Sequence, residues 1–502
     1  MNRIVRAAQQ ALEHAEDYAT WRSAAQELDR REGFDEWKQN EISEDYDWRL
    51  IRSRLRQIRQ YRAEGDAPRL IYHLRQGLHW NVGNIGNPAL YSLARVGTKK
   101  LVEEYVQEVC AALEWLLGLE EKTFPLPDKL RFFHETALSY GRSALMLSGG
   151  ATLGLFHVGV LKALYREGVL PTVLSGSSAG SVVAATVGMR APSEMEELLD
   201  PETSYYHFWK PLRMREVFQR GVLMDQNQVR KAIARNMPDL TFEEAHKVSG
   251  RIINITVSPA GVNQPPRLLN YLTFPYLYVR EAVLASSAVP FLFSPVMLMT
   301  RDENGQRVPY MPQLRWTDGS LKSDLPMLRL RRLHNVNHFI VSQTNPHVLP
   351  FMTHKAPGES GVLHAAREFL YSSAHSQSKF ALNLLRQNLP LGRIRHHLDT
   401  ASSILDQDYR GNINIFPSVS LWRYINVTAN PTPETVQRFM REGERAAWKR
   451  IEAIRLQTAI SQTLDRCVDR LERRTVPTDR FELPKKPGLR VVRSRDGRDK
   501  NG

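Results

Sequence analysis

The stretch that most constrains this chain is Gly-Ser-Ser-Ala-Gly at residues 176–180. A short apolar run precedes it, and the small-residue segment 181–187 follows it. A strand, a sharp turn and a helix, in that order, are the setting that a G-x-S-x-G nucleophile elbow requires. The small residues Gly176 and Gly180 let the backbone around a strained Ser178 approach a substrate closely. A plain strand-to-helix turn is the alternative that the pentapeptide alone leaves open.

A second glycine-rich loop lies upstream. Residues 144–147 are apolar and predict a buried strand, which runs into Ser-Gly-Gly-Ala-Thr-Leu-Gly at 148–154 and then into a helical pattern. Successive glycines between a strand and a helix expose backbone N–H groups, which is the chemistry of an oxyanion hole. We therefore expect Gly149, Gly150 and Ala151 to form such a hole.

A carboxylate follows farther along the chain. Trp-Thr-Asp-Gly-Ser at 316–320 places Asp318 at the end of an apolar segment, with Gly319 directly after it. Loops at the C-terminal ends of parallel strands meet in one crevice of an α/β sheet. The two glycine-rich loops and Asp318 are thus predicted to converge on one site.

These residues resemble the patatin-like phospholipase family. The resemblance implies a catalytic Ser–Asp dyad without histidine, with Ser178 as nucleophile and Asp318 as proton acceptor. It also implies the fold class, an α/β three-layer sandwich with a mainly parallel sheet flanked by helical N-terminal and C-terminal regions. The remaining motif glycines that it matches are Gly154, Gly176, Gly180 and Gly319. Two positions depart from the family pattern. The family often has a basic residue where Leu153 stands and a smaller residue where Ser320 stands.

The resemblance extends to the triacylglycerol-lipase branch of the family, which includes yeast lipid-droplet lipases and a plant sugar-dependent lipase. That branch carries a G-N-x-G-N-P segment, matched here at residues 83–88. Further matches stand at 97–99, 285–290 and 341–347. Dense turn residues at 81–88 favour a structural loop that closes the helical domain against the catalytic sheet, and a lipid-facing role is the alternative.

The predicted organisation has four parts. They are a helical N-terminal domain of this branch at 1–140, a catalytic domain at 143–347, a helical extension at 348–475 and a basic, disordered tail at 476–502. Helical apolar spacing predicts helices over residues 49–62 and 102–117. The prolines Pro125 and Pro127 predict a linker before the catalytic domain.

Charge and cysteine content narrow the cellular setting. The net charge of +14 fits nucleic acid, an anionic lipid surface or a basic surface that serves only solubility. No nucleic-acid-binding pattern accompanies the charge, so we expect no specific nucleic-acid partner and place the lipid substrate at a membrane or lipid-droplet surface. Two cysteines indicate a reducing compartment, and the first 21 residues lack an apolar signal-peptide core. The sequence predicts a cytoplasmic protein, peripheral to lipid, with unknown protein partners.

Two apolar segments invite a membrane interpretation. The uncharged run at 282–300 contains two prolines and three serines, so we predict a buried helix end, a loop and a strand rather than a membrane span. The aromatic cluster at 205–209 precedes Lys210, Arg213 and Arg215. Core packing is the favoured interpretation of the cluster, and contact with a membrane interface is the alternative.

The predicted reaction is hydrolysis of an acyl ester of a lipid, without metal or cofactor. The resemblance to the triacylglycerol-lipase branch implies that this lipid is triacylglycerol. Burial is expected to raise the pKa of Asp318 so that it serves as a base. A serine–histidine–aspartate triad is the competing arrangement, with His347 a better base than His157, which lies in a helical pattern. Phospholipase A or lysophospholipase activity and a non-catalytic lipid-surface scaffold are the alternative functions.

Overall fold

The N-terminal part of the molecule is helical. A computed structural model describes residues 3–261, 264–346, 348–349, 409–417 and 428–475. The helices that precede the central sheet are α1 Arg3–His14, α2 Tyr18–Arg31, α3 Phe34–Gln39, α4 Trp48–Ala63, α5 Ala67–Arg75, α6 Lys100–Gly118 and α7 Leu126–Tyr140. Helices α4 and α6 correspond to the two predicted from apolar spacing and extend each by one to two residues at both ends.

Local chemistry explains where these helices begin. The carboxylates of Asp17, Asp47 and Asp66 accept hydrogen bonds from backbone N–H groups in the first turns of α2, α4 and α5. The linker predicted at Pro125 and Pro127 is wrong, because Pro127 lies in the first turn of α7 and Pro125 directly precedes that helix. Proline fits there because the first N–H groups of a helix have no intrahelical acceptor.

The segment at 83–88 is an ordered loop, as the density of turn residues predicted. The side-chain amides of Asn84 and Asn87 both donate to the carbonyl oxygen of Asp45, each across 2.9 Å. The ring of Trp80 lies 5.7 Å from that of His338, on a strand of the central sheet. The loop therefore holds the start of α4, and Trp80, just before the loop, contacts the sheet.

A seven-stranded sheet forms the centre of the molecule. Together with those of a separate two-stranded pair, the described strands are β1 Arg142–Leu147, β2 Val173–Gly176, β3 Ile252–Pro259, β4 Arg267–Leu269, β5 Met299–Arg301, β6 Arg307–Pro309, β7 Trp316–Asp318, β8 Val336–Ser342 and β9 Ile413–Ile415. The order in the sheet is β4-β3-β2-β1-β8-β9, with β7 also paired to β3, while β5 and β6 form a separate pair. Strands β4 and β7 run antiparallel to β3, and the other pairs of the sheet are parallel. The predicted mainly parallel α/β sheet is confirmed.

Helices cover both faces of this sheet. They are α8 Leu155–Arg166, α9 Ala179–Gly188, α10 Met195–Leu198, α11 Met214–Arg220, α12 Gln226–Asn236, α13 Phe242–Ser249, α14 Val279–Ser286, α15 Ser320–Ser323, α16 Met327–His334, α17 Pro433–Trp448 and α18 Ile451–Thr475. Side chains of β1 alternate between the two faces. Leu145 and Leu147 pack with α8 and α17, whereas Ala144 and Met146 pack with Leu330 of α16. The result is the predicted three-layer arrangement.

The two C-terminal helices hold the layers together. Helix α17 packs so closely on α8 that a Cβ at Gly159 would lie 1.8 Å from the carbonyl oxygen of Met440. Helix α18 joins the core of the N-terminal helices through Ile460 and Leu464. Strand β9 extends the sheet beyond the predicted domain boundary at residue 347. The predicted tail at 476–502 lies outside the described residues.

The uncharged run at 282–300 is split between structural elements. It begins inside α14, passes through a loop and ends in β5. This division confirms the predicted helix end, loop and strand. Among the described residues, none of the helices combines the length and apolar character needed to cross a bilayer.

Candidate active site

The turn between β2 and α9 carries the serine of the G-x-S-x-G motif. Strand β2 ends at Gly176, and Ser178 adopts φ 50° and ψ −125° immediately before α9. A Cβ at Gly176 would lie 2.3 Å from the carbonyl oxygen of Gly180, so only glycine fits there. Ser178 retains 8% exposure, and its N–H donates to the Ser286 hydroxyl across 2.9 Å. The positive φ and the close glycines give the strained turn that the sequence predicted.

Asp318 is the carboxylate on this side of the sheet. It ends β7 opposite Val257 of β3 and is 1% exposed. One carboxylate oxygen, Oδ1, accepts a hydrogen bond from the Ser320 N–H across 2.7 Å. Within the described part of the chain, Oδ2 has no partner that meets ordinary hydrogen-bond geometry. That oxygen is therefore available to a proton donor in the site.

Burial raises the pKa of Asp318 to about 6, and the Ser178 hydroxyl acts in the opposite direction as a hydrogen-bond donor. The hydroxyl is thus close enough to act on the carboxylate, although no hydrogen bond of ordinary geometry reaches Oδ2 from the described residues. Such contacts are often long before substrate binds. The raised pKa agrees with the expected effect of burial.

The glycine-rich loop after β1 requires one correction. The Gly149 N–H donates to Oδ1 of Asp324 across 2.9 Å, so it is engaged rather than free to hold an oxyanion. The N–H groups of Gly150 and Ala151 donate to no described residue, and both residues line the cleft beside Ser178. Two of the three predicted donors therefore remain candidates.

Asp324 is the residue of this site that sequence reasoning missed. Its buried carboxylate accepts from the Gly149 N–H, from the Ser177 hydroxyl and from the Asn345 side-chain amide. It thereby joins the glycine-rich loop, the serine turn and the loop after β8. Burial raises its pKa to about 7, the three hydrogen bonds lower it, and the charge of Asp318 raises it. A second aspartate six residues after Asp318 was the only signal in the sequence.

His157, which follows the glycine-rich loop at 148–154 in the sequence, is a packed residue. His157 is fully buried, and its ring nitrogens contact the Ser342 hydroxyl, the Ser148 carbonyl oxygen and the Thr344 hydroxyl at 2.7, 3.0 and 3.0 Å. Burial lowers its pKa to about 4. These contacts agree with the packing role that its helical position indicated. The alternative base, His347, lies outside the described residues.

Ser178 and Asp318 open onto a cleft of about 350 Å³. Its walls are mainly apolar side chains from α9, from the segment after α10 and from the loop after α14. They include Val182, Val183, Val187, Leu198, Leu199, Tyr206, Phe208, Trp209, Val229, Leu292 and Phe293. The space and lining of this cleft suit an aliphatic chain.

The aromatic cluster at 205–209 belongs to this wall. Tyr206, Phe208 and Trp209 are half-buried and line the cleft. The Trp209 ring stacks on Phe293 at 6.0 Å between centroids, and its N–H donates to the Thr152 hydroxyl across 3.0 Å. The favoured prediction of simple core packing is therefore incomplete, because these rings also shape the site.

Two family models match the chain. Residues 145–331 match the patatin-like phospholipase family, and residues 2–138 match a domain of unknown function, DUF3336. The second match covers the helices α1 to α6 and most of α7.

Three curated relatives resemble the chain over most of its length. Triacylglycerol lipase SDP1L of Arabidopsis thaliana is 35% identical over 90% of this chain and 57% of the relative. Triacylglycerol lipase 4 of Saccharomyces cerevisiae is 33% identical over 94% and 54%, respectively. Triacylglycerol lipase ptl3 of Schizosaccharomyces pombe is 33% identical over 92% and 97%. The chain thus spans just over half the length of the first two and nearly all of the third.

Proposed function

Because the chain belongs to the patatin-like phospholipase family, we propose that it is a lipase that hydrolyses acyl esters of lipids. The observation that carries the proposal is the buried Asp318, with a raised pKa and an unpartnered Oδ2, beside Ser178 in an apolar cleft. A carboxylate with a pKa near 6 is ionised at neutral pH and can still accept a proton from a serine hydroxyl.

In the proposed reaction, Asp318 takes the proton of the Ser178 hydroxyl as its oxygen attacks the ester carbonyl carbon. The N–H groups of Gly150 and Ala151 stabilise the negative oxygen of the tetrahedral intermediate. The protonated Asp318 then gives its proton to the leaving alcohol, and the acyl group remains on Ser178. Asp318 then takes a proton from water as the water oxygen attacks the acyl-enzyme. The bond between the acyl carbon and the Ser178 oxygen breaks, the serine oxygen recovers the proton from Asp318, and the fatty acid is released.

Triacylglycerol is the substrate we propose. The names of all three relatives support it, as does a cleft whose walls are mainly apolar. Phospholipid hydrolysis through the same dyad is the second candidate, favoured by the family to which the chain belongs. We further propose that the unit at 143–347 carries the chemistry and that the helical region at 1–140 and the region at 348–475 support it.

The proposed place of action is the cytoplasmic surface of a membrane or lipid droplet. The net charge of +14 supports attraction to a surface with anionic headgroups. Substrates with long acyl chains reside in such aggregates, so a lipase needs contact with one.

The deciding experiment is fatty-acid release from triolein and from phosphatidylcholine by the wild-type protein, Ser178→Ala and Asp318→Asn. Each variant should lose at least about a thousandfold in rate. Ser92→Ala, at an exposed serine outside the cleft, is the matched control and should retain full activity. A fluorophosphonate probe should label the wild type and Ser92→Ala but not Ser178→Ala. Unlabelled wild-type protein would favour the non-catalytic scaffold, and faster release from phosphatidylcholine would favour a phospholipase.

A further inference from the structure

An excursion of the chain at residues 210–225 projects from the rim of the cleft. It starts directly after Trp209, which lines the cleft, and its two arms pair through a bridge between Pro211 and Met224. The backbone of its return arm bonds to the loop after α14, where the Leu223 N–H donates to the Phe291 carbonyl oxygen across 3.2 Å. The base of the excursion is thus fixed to two walls of the cleft, and α11 lies at its tip.

The tip carries large apolar side chains in solvent. Phe218 is 83% exposed and Met214 69% exposed, one turn apart on α11. Leu223 on the return arm and Phe291 on the adjoining loop are exposed as well. Four large apolar side chains grouped beside a cleft are more than the scattered exposure usual on a soluble surface. We call these four residues the rim patch.

Cationic residues share the excursion with most of the rim patch. The excursion holds four basic and two acidic residues. Arg213, Arg215 and Arg220 are exposed and form no ion pair with any described residue. The acidic residues are engaged, since Asp225 pairs with Lys210 across 3.2 Å and Glu216 accepts from the backbone N–H of Arg213. The face around the apolar tips is therefore positively charged.

We propose that the rim patch and its three arginines dock the protein on a lipid surface that carries anionic headgroups, with the cleft mouth facing the lipid. Apolar tips enter the acyl region, and arginines pair with phosphate or carboxylate groups at headgroup level. Charge complementarity and continuity with the acyl cleft favour this occupant over a protein partner. The proposal rests on the proposed lipase function, because it assigns the surface through which that site reaches its substrate.

The test is co-sedimentation of the full chain with vesicles of phosphatidylcholine, with and without phosphatidylserine. The double variant Met214→Ser/Phe218→Ser should bind mixed vesicles at least about tenfold more weakly, because two large apolar side chains no longer leave water. Arg213→Gln/Arg215→Gln should lose most of the difference between mixed and neutral vesicles, and high salt should mimic that loss in the wild type. Leu138→Ser is the matched control, since this equally exposed leucine lies on α7, which contributes nothing to the cleft.

Hydrolysis of a water-soluble short-chain ester separates this proposal from the proposed function. The double variant should hydrolyse that ester at the wild-type rate while losing hydrolysis of triolein emulsions. If the wild type itself did not hydrolyse the soluble ester, the lipase function would be rejected instead. Unchanged vesicle binding in Met214→Ser/Phe218→Ser overturns the docking surface. The proposal is also overturned if the wild type is a dimer that this double variant dissociates, because a second copy of the chain would then cover the rim patch.

Discussion

The Gly149 N–H donates a hydrogen bond to Oδ1 of Asp324 across 2.9 Å, between residues 175 positions apart in the sequence. Asp324 accepts from Ser177 with the same oxygen and from Asn345 with the other. One carboxylate therefore fixes the loop that carries the candidate oxyanion donors relative to the turn that carries Ser178. Asp324 acts on the site through these groups and is a positioning residue.

Asp324→Asn should lower kcat by about tenfold to a hundredfold with little change in KM for a soluble ester, since misplaced oxyanion donors affect the transition state most. The new amide would face the amide of Asn345, two donors with no acceptor between them. The reciprocal variant Asp324→Asn/Asn345→Asp restores that pair and should recover part of kcat. Steady-state kinetics of both variants test this, and a rise in KM at unchanged kcat would contradict it.

The rate should depend on the protonation of Asp318. Its pKa of about 6 predicts that kcat/KM falls about tenfold per pH unit below that value, because the protonated acid cannot accept the serine proton. A base at His157, with a pKa of about 4, would move this limb two units lower. A pH–rate profile on an ester that does not ionise in this range distinguishes the two.

Unfolding of the protein is not expected to cause the fall in kcat/KM at low pH. The pKa values of Asp318 and Asp324 are raised in the folded state, so the folded protein binds these protons more tightly than the unfolded chain. Above about pH 7 both carboxyl groups are ionised, which lowers the free energy of unfolding. As the pH falls from about 7 toward 4 they become protonated, and the free energy of unfolding rises. Circular dichroism across the same range should show no loss of stability from these two groups.

Gly443 is predicted to be essential for packing. A Cβ there would lie 2.1 Å from the carbonyl oxygen of Phe156, where α17 crosses α8. Gly443→Ala should lower the free energy of unfolding by about 3 kcal/mol or more, since the backbones must separate. Gly118→Ala, at the end of α6 with no atom within 4 Å of the new Cβ, should change it by under about 1 kcal/mol. Thermal melts of the two variants make the comparison.

The cleft should select acyl-chain length through α9. Val183 and Thr186 line the cleft onto which Ser178 opens. Val183→Trp fills part of the space of about 350 Å³ and should lower the rate on a long-chain ester relative to a butyrate ester by about tenfold. An equal loss on both esters would mean that the residue does not set chain length. Leu138→Trp, at an exposed position, is the control.

Local signals in the sequence predicted the elements nearest the serine. Apolar runs bounded by glycine marked β1 and β2, and the spacing of Phe156, Val160 and Leu164 marked α8. The G-x-S-x-G motif predicted the strained turn because glycine is needed where Gly176 approaches Gly180. These features follow from residues close together in the chain.

Features that depend on distant contacts escaped prediction. The carboxylate of Asp324 gains its role only when residues 149, 177 and 345 surround it. That same contact removed Gly149 from the predicted oxyanion donors. The antiparallel position of β7 against β3 is likewise set by pairing across the sheet, and a three-residue strand has no periodicity to reveal it. Pro125 and Pro127 misled because proline favours both linkers and helix starts.

Helix α18 also bears on how the protein is made. Its Ile460 and Leu464 complete the same core as Val102 and Leu113 of α6, and its Asp465 pairs with Arg142, 323 residues earlier. During synthesis on the ribosome, the N-terminal helices and the whole central sheet emerge before the helix that covers them. The apolar faces that α18 covers in the folded protein therefore stay exposed until α18 has been synthesised. During that time the nascent chain can aggregate or bind chaperones.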